Sequence, residues 1–144
     1  MKVVTSLPNE VLTNHRAGAL CARELLRAVV KINELLLTWK PKIPLLYNSG
    51  VRYQSEPNAG KYEDFANCQE TLARGWGDCD DLAAWRAAEI RVRERRPADI
   101  LIYWRPKGEK GALWHVQVRH WPSMRDKLNG GLGEVEDPSR LLGM

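Results

Sequence analysis

The segment Gly75-Trp76-Gly77-Asp78-Cys79-Asp80-Asp81-Leu82-Ala83-Ala84-Trp85 constrains this chain more than any other. Two glycines one residue apart interrupt a helix. An aspartate followed by two acidic residues and an alanine-rich apolar run marks a helix start. The segment therefore predicts a tight turn that hands over to a helix, with Cys79 in the first helical turn. A helix N-terminus presents unpaired N–H groups and partial positive charge, which stabilise a thiolate. The thiolate is the reactive form, so a nucleophile belongs at this position.

The rest of the chain reads as helices followed by strands. Asn14 to Thr38 predicts the longest helix, with Leu20, Leu25, Val29, Ile32 and Leu36 near helical spacing and Asn14 or Thr13 as cap. Cys21 in that helix reads as a small core residue. Pro41 and Pro44 end it, and Ile43 to Gly60 reads as an extended loop with one short strand. A short helix is expected over Tyr62 to Ala73. The helix headed by Cys79 should run to about Arg95, stopped by Pro97, with Cys79, Ala83, Ala87 and Ile90 on one stripe. Asp99 to Trp104 and Leu113 to Trp121 suit strands, with Pro106 to Gly111 as the hairpin loop between them. In the second strand Trp114, Val116 and Val118 share one face; His115, Gln117 and Arg119 share the other. A glycine-rich stretch (Asn129, Gly130, Gly131, Gly133) leads to a last short strand, Glu134 to Asp137, ended by Pro138. This order predicts an α+β domain.

A chain of 144 residues is expected to form a single domain, 1–144, with 1–50 as an N-terminal helical extension. The net charge of +4 arises mainly from Arg91, Arg93, Arg95 and Arg96, which read as the solvated, dipole-favoured end of a helix. No basic patch is interleaved with stacking aromatics, so no nucleic acid partner is expected. Three cysteines without paired spacing point to a reducing compartment, and no His/Cys set has zinc spacing. Asp78, Asp80 and Asp81 lack EF-hand spacing and read as capping groups, so no metal is expected. The N-terminus lacks the apolar run of a signal peptide, and no segment has membrane-span length, so no membrane partner and a cytoplasmic location are expected.

His115 in mid-strand and Asp137 before Pro138 follow Cys79 in the order of a nucleophile, a base and an orienting carboxylate. Such a set lets a thiol add to an amide carbonyl and leave an acyl-thioester, which water hydrolyses or an amine intercepts. The Cys79 N–H is the natural first oxyanion donor; Gln69, the Trp76 indole and Tyr53 are candidates for the second. Trp76, in the turn beside the cysteine, is also the tryptophan expected to touch substrate. Asp78, Asp80 and Asp81 oppose thiolate formation, while the helix terminus and a charged His115 favour it. His15 and His120 read as ordinary, and Asp126 as a rival carboxylate in a loop.

Gly-Asp-Cys-Asp-Asp-Leu-Ala at 77–83, His115-Val116-Gln117-Val118 and Asp137-Pro138-Ser139 together resemble the three motifs of the transglutaminase-like cysteine peptidase superfamily. The likeness is greatest to its small stand-alone members from phages and prophages. Those carry an acidic-aromatic segment like Tyr62-Glu63-Asp64-Phe65 and end as 137–144 do here. The resemblance covers 51–144 and implies a papain-like core, in which a helix bearing the cysteine packs on a small antiparallel sheet. It implies Cys79, His115 and Asp137 as catalytic triad and no cofactor. The superfamily includes proteases, transglutaminases, amidases and inactive members, so three functions are expected in this order. They are a cysteine protease or amidohydrolase, a protein transglutaminase or deamidase, and a non-catalytic virion assembly or adaptor protein. The expected partner is a protein or peptide substrate, with phage structural proteins among the candidates. A phage-encoded copy would act in the host cytoplasm or join the virion.

Overall fold

The computed structural model describes residues 15–57, 64–107 and 111–144. A 25-residue helix, α1 (His15–Trp39), is followed by a 3-10 turn (Leu46–Asn48) and the strand β1 (Arg52–Tyr53). Then come α2 (Cys68–Arg74), β2 (Trp76–Gly77), α3 (Cys79–Arg93), β3 (Ala98–Lys107) and β4 (Gly111–His120). The chain ends with α4 (Met124–Leu128), β5 (Glu134–Glu136) and α5 (Pro138–Leu141). The strands form an antiparallel sheet in the order β3-β4-β5 and a parallel two-stranded ribbon of β1 and β2. The architecture is α+β, as expected.

The core is built around α3. Leu82, Ala83, Ala84, Trp85, Ala87, Ala88 and Ile90 are all buried, which is more than the single stripe expected. The reason is position: α1, α2, α5, β3 and β4 all pack against this helix. Alanines let these neighbours approach closely, and Trp85 fills the space between them. From α1 the core takes Leu26, Val29, Val30 and Leu37. That stripe lies about one residue from the predicted one: Leu20 and Cys21 are exposed, so Cys21 is not the core residue it resembled. The proposed caps Thr13 and Asn14 lie outside the described residues.

Several element limits differ from expectation for local reasons. α2 starts at Cys68 rather than Tyr62, because Asn67 caps it. The Asn67 Oδ1 accepts the N–H groups of Gln69 and Glu70, both at 3.0 Å. Tyr62 itself is outside the described residues. β3 continues through Pro106, opposite Ala112, and Lys107, opposite Gly111, where a loop was expected; the rest of that loop lies outside the described residues. Asp126 lies in the first turn of α4 rather than in a loop, where its N–H donates to the Ser123 Oγ. Of the four arginines at and beyond the end of α3, Arg95 is exposed as expected, while Arg91, Arg93 and Arg96 are staples more than solvated charges. Arg91 donates to Glu34 and to the Ala98 carbonyl, Arg93 to the Ile43 carbonyl and Arg96 to Glu94. Among the described residues, no helix is long and apolar enough to cross a membrane.

Candidate active site

Two glycines with different duties set the head of α3. Gly75 closes α2 in the left-handed region (φ +78°), and its N–H donates to the Thr71 carbonyl. Gly77 has ordinary backbone angles but no room: a Cβ there would stand 2.9 Å from Thr71 Cγ2 and 3.1 Å from Leu82 Cδ2. Between them Trp76 and Gly77 pair in parallel with Arg52 and Tyr53. Asp78 takes the N-cap position, and its carbonyl accepts the first helical bond from the Leu82 N–H at 3.1 Å. Cys79 is thus the first residue of α3, half-buried at the edge of the core, as the glycine pattern required.

The acidic residues beside it do more than complement the helix dipole. Asp81 is fully buried and accepts the Ala66 N–H at 2.7 Å, the Asp78 N–H at 3.4 Å and the Arg74 guanidinium. Asp80 is buried as well and accepts the Asp81 N–H at 2.7 Å. Burial, then the charge of Asp78 and a hydrogen bond with it, raises the Asp80 carboxyl well above its ordinary value. Burial and the Asp78 charge raise Asp81 too, opposed by Arg74. The Arg74 guanidinium paired with Asp81 offsets part of the negative charge next to Cys79. These carboxylates present oxygens within 4.8 Å of one another, yet Asp80 and Asp81 are committed to holding the helix start.

The second half of the site is assembled. His115 Nε2 lies 2.8 Å from Asp137 Oδ2, with side chains 23% and 13% exposed. Gln117, two residues along the same strand face, donates its Nε2 to the same oxygen at 3.0 Å. The other oxygen, Oδ1, accepts the Arg140 N–H at 3.3 Å, which makes Asp137 the N-cap of α5 rather than a strand residue. Burial pushes the Asp137 carboxyl up. The hydrogen bonds from Gln117, His115 and Arg140 outweigh it and hold the group below the ordinary carboxylate range. Asp137 is thus an anion at neutral pH, fixed from both oxygens.

Packing contacts link the element that carries Asp137 to those that flank Cys79. Asp137 opens α5, α5 packs against both α3 and β1, and the Tyr53 N–H donates to the Leu142 carbonyl at 2.9 Å. β1 in turn carries β2, which ends two residues before Cys79. The helix does pack on the meander, as expected, but on the face of β4 that carries Val116 and Val118. Glu136, in register with Val118, takes Arg86 of α3 at 2.7 Å on that face. His115 and Gln117 leave β4 on the opposite, half-exposed face, beside Tyr103 and Leu101 of β3.

The proposed oxyanion and substrate residues are placed as follows. Gln69 is exposed on α2, where its carbonyl accepts from Lys40. Trp76 is half-buried, with the Arg74 guanidinium 3.9 Å from its ring centroid. Tyr53 is half-buried, its hydroxyl 3.1 Å from Ser55 Oγ. His120 is buried on the core face between Arg96 at 3.1 Å and Glu136 at 3.4 Å, in keeping with its structural reading. His15 opens α1 at the border of the described residues. Gln117 is the site residue that the sequence reading left unassigned. Its signal was present: on a strand, residue i+2 shares the face of residue i. Comparison of the chain with family models, curated proteins and solved structures gives no match.

Proposed function

We propose that this protein is a cysteine hydrolase of the transglutaminase-like, papain-like type, acting on amide bonds, with a protease as the leading form. The observation that carries the reading is the His115–Asp137 pair. Two residues 22 apart in the chain, picked out with Cys79 as a nucleophilic set, meet through Nε2 at 2.8 Å. Asp137 on Nε2 stabilises the tautomer whose Nδ1 lone pair can take a thiol proton. The helix N-terminus at Cys79 favours the resulting thiolate, and the reading requires its sulfur to meet Nδ1 beside α5.

In the proposed cycle the Cys79 thiolate attacks the amide carbonyl carbon, and the Cys79 N–H supports the developing oxyanion. The C–N bond then breaks as the His115 imidazolium gives its proton to the leaving amine. Water, deprotonated by His115, cleaves the thioester to release the acid and restore the thiol. An amine in place of water makes the same residues a transglutaminase. The motif resemblance to small phage and prophage members supports a phage-type setting, with protein or peptide substrates.

The test is covalent capture. Intact-protein mass spectrometry with a library of peptidyl electrophiles should show one adduct on Cys79, absent in Cys79→Ala and at least about tenfold slower in His115→Ala. An amine dye joined to a glutamine-containing protein would identify transfer rather than hydrolysis. Adducts spread evenly over Cys21 and Cys79, indifferent to His115, would leave the non-catalytic assembly role in place of the enzyme.

A further inference from the structure

The geometry points to Gln117 as a positioning residue for the His115–Asp137 pair, an inference that rests on the catalytic reading of that pair. Its Nε2 and the His115 Nε2 converge on a single oxygen, Asp137 Oδ2, at 3.0 and 2.8 Å. Both donors leave the same face of β4 two residues apart, so the strand spacing itself sets their separation. The Asp137 oxygen cannot follow the imidazole without also breaking with Gln117, and the amide therefore fixes where the ring must point. Oδ1 is tied separately to the Arg140 N–H at the start of α5, which removes rotation of the carboxylate as an escape.

Among the described residues, the groups bonded or paired to Asp137 can be named. They are His115 and Gln117 from β4, the Arg140 N–H, and the exposed Arg140 guanidinium with Nε at 3.4 Å. Of the side chains, Gln117 alone is neutral at every pH. It supplies a donor that does not titrate, so the carboxylate stays anchored while His115 gains and loses its proton. An imidazole that must act as base and then as acid needs a carboxylate that does not move between the two steps.

The experiment uses the full chain and NMR with labelled histidine and aspartate. In the wild type, neutral His115 should carry its proton on Nε2, and the Asp137 carboxyl should titrate below the ordinary range. Gln117→Leu should move the Asp137 titration upward and mix the two His115 tautomers. The rate of Cys79 alkylation at neutral pH should fall about tenfold, with its acid limb displaced upward. Gln117→Glu keeps the shape and serves if the leucine variant fails to fold. It should place two carboxylates in contact, so that one of them holds a proton above the ordinary range. An unchanged Asp137 titration and an unchanged His115 tautomer in either folded variant would overturn the role of Gln117. These spectra do not depend on Cys79, so an unreactive thiol with the expected spectra would count against the hydrolase reading alone.

Discussion

The two glycines before Cys79 give a sharp test, because the same substitution should fail at each for a different reason. At Gly75 no described residue beyond its chain neighbours lies within 4 Å of where a Cβ would stand, so the cost of alanine is conformational. Holding an L-residue left-handed costs about 1–2 kcal/mol, offset in part by about 0.4–1 kcal/mol from the stiffer unfolded chain. Gly75→Ala should thus lose about 1 kcal/mol, and Gly75→Asn less, because asparagine tolerates that region. At Gly77 the backbone is ordinary and the obstacle is steric: Thr71 Cγ2, Leu82 Cδ2 and Asp81 Cβ all lie within 3.2 Å of the added carbon. Overpacking of this kind costs about 1–3 kcal/mol, and asparagine, being larger, should be worse than alanine. For 144 residues, 1 kcal/mol corresponds to roughly 3 °C in Tm. Thermal and urea unfolding of the four variants would read these costs. A Gly75→Asn variant as damaged as Gly75→Ala, or a Gly77→Ala variant as stable as wild type, would refute this account of the turn.

Trp85 is 0% exposed, so Trp85→Ala should cost about 3–5 kcal/mol in urea unfolding, and a loss under 1 kcal/mol would contradict its place in the core. Asp99 and Glu136 are held below the ordinary carboxylate range; burial opposes this, but their arginine partners prevail. Their stabilisation is present above the unfolded value near 4 and is lost as pH falls through the folded values, so the urea midpoint should drop below about pH 4. Asp80 has the opposite sign: its raised value makes the folded state take up a proton as pH falls toward the unfolded value near 4, so the wild type should gain stability on acidification above about pH 4 and Asp80→Asn should lose that gain. Cys68 is 0% exposed, and burial pushes its thiol up to about 11. In the folded protein at pH 7 its alkylation should be the slowest of the three cysteines, as read by peptide mapping.

The strongest local signals of the sequence survive in the structure because each rests on one short-range cause. Glycines and a capping aspartate place the start of α3, and strict alternation separates Val116 and Val118 from His115 and Gln117. Elements of two to five residues have too little length to show a period. For that reason β2 and α4 escaped prediction, β1 was foreseen only as one short strand within Ile43 to Gly60, and α5 was missed because its cap Asp137 read as the end of a strand. Burial of charge was equally hidden. Glu89 is 2% exposed, yet it accepts the Leu46 N–H at 2.7 Å and the Arg86 guanidinium at 2.6 Å, partners 43 and three residues away. The pairing of His115 with Asp137 was readable from order and residue type; Gln117 was read on the same strand face, but its bond to the same Asp137 oxygen shows only once α5 places that carboxylate.

The most direct measurement is the rate of Cys79 alkylation by iodoacetamide as a function of pH, in the wild type and in His115→Ala, with exposed Cys21 as internal reference. A sulfur that meets the His115 imidazole should react faster than Cys21 at pH 6, and the substitution should abolish that advantage. Equal rates for the two cysteines across the whole range, unchanged by loss of the imidazole, would contradict the account.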